Sequence, residues 1–201
     1  LAFNNFLERY LLVGHEKLFD EPVNGGVHFI NDHDYLGGSY LGVDIDLDEI
    51  PSPILSGNMD AFLTENFMPM IQSSRLCPYL CTFCSSGKLR GKIRGFSIET
   101  VKNEIDYIAD IYKNFSYKRI WISDENFGIL KRDREIAEYL YNSKNVKGYP
   151  QGVKVYFDKK FQSNSMEASL HLADMESDGV TLAFQSLNKE TLKAIKRINL
   201  N

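Results

Sequence analysis

The chain has 201 residues, 43% hydrophobic and 25% charged, with a formal net charge of −4. That length suits one domain, or one domain with a linker, and such a domain needs no disulfide staples. The acidic balance excludes a general polyanion-binding surface, so no nucleic-acid partner is expected. No apolar run is long enough to span a bilayer, and no membrane role is expected.

Phe3, Phe6, Leu7, Tyr10 and Leu11 recur at helical spacing, with Gly14 as a stop. Glycine pairs at Gly25-Gly26 and Gly37-Gly38 then predict turns and short extended pieces. Asp44, Asp46 and Asp48 imitate a calcium loop, but Glu49 and Leu55 stand where it needs Gly and Glu. Residues 1–66 therefore read as a helix and an irregular linker, the tail of an upstream domain. From Phe67 the pattern alternates. Strands are predicted at 67–71, Ile120-Trp121-Ile122, 153–157 and 180–184, and Trp121, mid-strand, is expected to pack in the core. Ser97 caps a helix with Ile98, Val101, Ile105, Ile108, Ile111 and Phe115 on one stripe. Further helices are predicted at 133–141, 166–175 and after Asn188. Four strand–helix units imply parallel pairing and an α/β fold, a partial β/α barrel over 67–201. Leu1 and Asn201 both read as cut ends, so a fragment of a longer protein is expected.

All three cysteines fall within eight residues, as Cys77, Cys81 and Cys84. Thiolates so gathered bind soft metal or an iron–sulfur cluster, or exchange disulfides. A structural zinc site wants four ligands, and the four histidines lie far off in sequence. A cubane held at C-x3-C-x2-C would keep one iron free of protein. Three clustered cysteines also argue for a reducing compartment, hence a cytoplasmic location.

Arg75-Leu76-Cys77-Pro78-Tyr79-Leu80-Cys81-Thr82-Phe83-Cys84 resembles the cluster loop of radical S-adenosylmethionine (radical SAM) enzymes, with Leu76 where Gly is usual. Leu47 to Pro53 with Gly57 resembles the entry to the barrel in the cobalamin-binding members. Arg94, Ser97 and Glu104, then Gln185-Ser186-Leu187 and Ile195-Lys196-Arg197, fit the same family. The resemblance runs from about Asp46 to the end. It implies a 4Fe-4S cluster on Cys77, Cys81 and Cys84, and S-adenosylmethionine on the open iron. It also implies a 5′-deoxyadenosyl radical that takes hydrogen from a small-molecule substrate, with flavodoxin or ferredoxin as electron donor. Phe83 stands where the family places an aromatic residue against adenine. Ser123-Asp124-Glu125 replaces the family's Gly-Gly-Glu, leaving Asp124 or Glu125 to meet the ammonium of S-adenosylmethionine. Gln185 and Ser186 are candidates for its carboxylate or ribose, while Lys159, Lys160 and Arg197 are candidates for anionic groups. The family's cobalamin domain precedes the barrel, and no cobalt-ligand histidine motif is seen here. Cobalamin binding is thus expected only with an upstream domain. Alternative readings are a non-catalytic iron–sulfur electron-transfer module and an inactive truncated remnant. Lys88, Arg90, Lys92 and Arg94 form a basic run suited to an anionic substrate or a mobile loop.

Overall fold

The structure is a computed structural model and describes residues 2–23, 27–31, 34–37, 46–86, 92–176 and 183–199. It divides into two compact units, Leu1–Ile45 and Asp46–Asn201. In the first, helix α1 (Ala2–Lys17) is broken at Gly14, whose φ 73° and ψ 175° are not helical, so the expected stop falls at a kink with a further helical turn beyond it. Strands β1 (His28–Asn31) and β2 (Asp34–Gly37) pair antiparallel, and the Phe19 and Phe29 rings lie 4.9 Å apart.

The second unit starts at Asp46, so residues 46–66, expected in the linker, belong with the sheet. Their apolar side chains explain why: Ile54 and Leu63 join the same buried cluster as the sheet and helices. The Ser52 hydroxyl also donates 2.6 Å to Glu104, a buried residue of helix α2 (Ile98–Tyr112).

Strands β3 (Met70–Ile71), β6 (Arg119–Ile122) and β7 (Gly152–Lys154) form a parallel sheet in that order. Between β3 and β6, β4 (Ser74–Arg75) pairs antiparallel with β5 (Arg94–Gly95), enclosing the cysteine segment. Helices α2 and α3 (Asp133–Lys147) connect the parallel strands, and α4 (Ser163–Leu172) follows β7. Ser97 caps α2 as expected, its hydroxyl accepting 3.1 Å from the Thr100 N–H. Helix α3 runs six residues beyond the predicted Tyr141, ending where Gly148 takes φ 72°. The polar run after Tyr141 hid this extension, because few of its residues face the core.

Ile71, Ile120, Ile122 and Val153 pack against α2 and α3 in one buried cluster. Alternation then sends Met70, Trp121 and Lys154 to the opposite face of the sheet. Trp121 is therefore outside the core that the sequence suggested for it. The fourth strand falls mostly on residues outside those described, and Ala183 and Phe184 are not in a strand. Helix α5 (Lys189–Ala194) is capped by the Asn188 side chain, 3.0 Å from the Thr191 N–H.

Candidate functional site

The root of the cysteine loop is fixed by one carboxylate. Asp124, fully buried after β6, accepts from Ser73 N–H at 2.7 Å and Ser73 Oγ at 2.6 Å. It also accepts from Ser74 N–H at 3.1 Å and Ser74 Oγ at 2.8 Å. Arg132 donates to the carbonyl of Ser73 at 2.7 Å and to that of Phe96. The two ends of the loop are thereby tied to each other and to the sheet.

Cys77 and Cys81 are buried and Cys84 is partly so, and none of the three is in a disulfide. The Lys159 ammonium lies 3.6 Å from Cys77 Sγ, and the buried Arg197 guanidinium lies 3.9 Å from Cys81 Sγ. Lys159 also sits 4.9 Å above the ring of Tyr79, whose hydroxyl donates 2.6 Å to the buried Asp158. Burial and that carboxylate push the Tyr79 phenol well above its ordinary range, keeping it a donor. Among the described residues, no three His, Cys, Asp or Glu side chains converge as a ready-made single-ion site. A cubane does not require such convergence, since each thiolate binds a different iron. Three thiols with cations against two of them fit an anionic iron–thiolate cluster by charge and donor type.

Arg197 also brings the predicted cofactor segment to this loop. It donates to the Ala183 carbonyl and, at 3.1 Å, to Asn199 Oδ1, while Asn199 donates 3.1 Å to the Ser186 carbonyl. Thr82 N–H donates 3.0 Å to the Ile195 carbonyl, joining the same two stretches. The Ser186 hydroxyl accepts from Asn188 N–H at 3.0 Å. Gln185 and Glu125 are exposed, and Phe83 is 54% exposed on the loop beside Cys84. The Asp124 carboxylate, saturated by four donors, leaves Glu125 as the accessible one of the pair. Lys88 and Arg90 lie outside the described residues. Sequence reasoning missed Asn126, which is buried with both ends of its amide unpartnered among the described residues. Its place just beyond a parallel strand was the available signal.

A parallel α/β sheet whose first strand leads into a three-cysteine loop defines a protein of the radical SAM class. The chain belongs to the radical SAM superfamily and resembles its cobalamin-dependent members. No family model matches it. It is 34% identical over 161 residues to the 2-(S-pantetheinyl)-carbapenam-3-carboxylate methyltransferase of Streptantibioticus cattleyicolor. It is equally similar, at 34% over 161 residues, to the cobalamin-dependent radical SAM methyltransferase TokK of Streptomyces tokunonensis. Both alignments cover 76% of this chain but 23% of the relative. Among solved structures, the cobalamin-dependent S-adenosylmethionine radical enzyme OxsB, with aqua-cobalamin and S-adenosylmethionine bound, superposes with a TM-score of 0.67. That match has 20% identity and covers 99% of this chain and 28% of OxsB, which shows the fold. No helix among the described residues is long and apolar enough to cross a membrane.

Proposed function

We propose that the chain carries the cluster-binding portion of a radical SAM methyltransferase barrel acting on a small molecule. The observation that carries this reading is the anchored C-x3-C-x2-C loop, with Lys159 and Arg197 against two of its sulfurs. The relatives' names supply methyl transfer and cobalamin dependence. Cobalamin enters with residues outside this chain, and flavodoxin or ferredoxin serves as reductant.

Cys77, Cys81 and Cys84 hold the 4Fe-4S cluster. When bound, cluster and S-adenosylmethionine together supply one-electron cleavage of a sulfonium C–S bond and the 5′-deoxyadenosyl radical that abstracts hydrogen. The chain's own residues orient and shield. Asp124 and Arg132 fix the loop so that the thiols are presented without reorganising. Lys159 and Arg197 offset negative charge gathered at the sulfurs. Phe83 would hold the adenine, Glu125 the ammonium, and Gln185 and Ser186 the carboxylate or ribose of S-adenosylmethionine.

Electron paramagnetic resonance on the anaerobically reconstituted, reduced chain tests this reading. A 4Fe-4S signal that changes on adding S-adenosylmethionine, and is lost in Cys81→Ala, is the expected result. A cluster indifferent to S-adenosylmethionine would turn the assignment toward an electron-transfer module. No cluster would leave the remnant.

A further inference from the structure

Three stretches meet at the cysteine loop, and their charge runs against that of the chain. Residues 75–84, 158–161 and 184–199 carry seven lysines and arginines against two carboxylates, in a chain whose formal net charge is −4. One of those carboxylates, Asp158, is buried and taken by the Tyr79 hydroxyl at 2.6 Å. The other, Glu190, lies in the first turn of α5. Two of the cations, Lys159 and Arg197, face cysteine sulfurs. Lys160, Lys193 and Lys196 do not.

Lys160 stands 5.8 Å from the Tyr79 ring, on one side of Leu80 in the loop. On the other side, Thr82 N–H donates 3.0 Å to the Ile195 carbonyl, which brings Lys193 and Lys196 at the end of α5 to the loop. Both of these lysines are exposed. Leu80, directly before Cys81, is 57% exposed. Among the described residues, Lys160, Lys193 and Lys196 meet no carboxylate, whereas Lys102, Lys113 and Lys147 around α2 and α3 each do.

An exposed apolar residue flanked by unpaired cations suits an acidic protein partner, whose charge steers the encounter and sets its orientation. The place of the surface selects the kind of partner. It lies on the backbone that carries all three cysteines, so an electron arriving there has one loop to cross. Electron-transfer encounters bury less than about 1,200 Å², so one leucine and a few charges are enough.

We propose that Leu80, Lys160, Lys193 and Lys196 form the docking surface for an acidic one-electron donor protein that reduces the cluster. This rests on the radical SAM reading and adds to it the point of electron entry. The donor loses one electron and the cluster gains it, with no bond made and no proton moved.

Flavodoxin is the probe, and titration calorimetry at several salt concentrations measures its affinity for the reconstituted chain. A triple variant, Lys160→Glu with Lys193→Glu and Lys196→Glu, tests the surface. A control triple, Lys17→Glu with Lys113→Glu and Lys131→Glu, changes the net charge equally at exposed positions elsewhere. The first is expected to weaken binding at least tenfold at low salt and to flatten its salt dependence, the control less than threefold. Cluster reduction by flavodoxin hydroquinone, which becomes the semiquinone, should slow in parallel, while reduction by photoreduced deazariboflavin stays at the parent rate. No binding by the parent, no weakening in the first triple, or equal weakening in both overturns the proposal. An acidic acyl carrier protein bound as tightly as flavodoxin, and weakened equally by the first triple, overturns the choice of partner. The electron paramagnetic resonance signal is read separately on the same samples. A cluster responsive to S-adenosylmethionine in a parent that binds flavodoxin no better than the first triple removes this inference and leaves the family reading intact. Flavodoxin binding lost in the first triple, with a cluster indifferent to S-adenosylmethionine, does the reverse.

Discussion

Lys159 places its ammonium 3.6 Å from the sulfur of Cys77, across a separation of 82 residues. The contact joins the loop after β7 to the cysteine loop, and the Tyr79–Asp158 bond at 2.6 Å reinforces it. A positive charge there favours the more negative, reduced state of a cluster held by that sulfur. Replacing Lys159 with Met should lower the midpoint potential by several tens of millivolts, where about 59 mV is a tenfold change for one electron. Lys159→Arg should restore most of the loss. A potentiometric titration followed by electron paramagnetic resonance checks this, and an unchanged potential in Lys159→Met would remove the electrostatic role.

Leu76, immediately before the first cysteine, adopts φ 75°. That region suits glycine, because a Cβ there crowds the following carbonyl at a cost of roughly 1–2 kcal/mol. Leu76→Gly and Leu76→Ala both delete the side chain, so comparing them isolates the backbone. The Gly variant should be the more stable by about 1 kcal/mol, the reverse of the usual order of these residues. Urea unfolding of the two variants measures it. An Ala variant as stable as the Gly variant would mean that the loop relaxes out of this conformation.

Asp124 satisfies two backbone N–H groups and two hydroxyls at the loop root, all buried. Asp124→Ala would strand all four donors, costing on the order of 3–5 kcal/mol. Asp124→Asn keeps the shape but turns an NH2 toward donors, and should cost about half as much. Both variants should also take up less iron on reconstitution than the parent at equal folded fraction. Full iron loading in Asp124→Ala would show that the loop finds its place without this anchor.

The grouping of the thiols was legible because it is local: three cysteines in eight residues need no tertiary information. The helices were legible from their apolar stripes, most clearly α2 with Val101, Ile105 and Ile108 all buried. The β4–β5 pair was not, since two-residue strands carry no periodicity. Neither was the orientation of Trp121. A strand four residues long cannot announce which face meets the helices until register fixes it. The cations at the sulfurs sit 82 and 116 residues from their thiols, so only the fold could pair them. The resemblance nevertheless marked several of these partners. Ser52 and Glu104 come from two separate familial stretches and prove to be hydrogen-bonded at 2.6 Å.

Asp133 opens α3 with its carboxylate accepting from Gly128 N–H at 2.8 Å and Leu130 N–H at 3.0 Å. Burial nevertheless pushes its pKa up to about 7 from 3.8, the Leu130 bond opposing the rise and the charge of Asp124 adding to it. In the unfolded chain the same group releases its proton near 3.8. Between those values the folded state holds a proton that the unfolded state has lost, so stability falls as pH rises. The contribution is complete below about pH 4 and is lost as pH rises through 7. Unfolding free energy should drop by on the order of 2–4 kcal/mol between pH 4 and pH 8 from this group. Asp133→Asn retains an oxygen for both N–H groups and cannot titrate, so its profile should be flatter over that interval by the same amount. Urea unfolding of both proteins at closely spaced pH values makes the comparison. Parallel profiles would mean that the carboxylate is ionised in the folded chain throughout, held by the two N–H groups and the helix N-terminus.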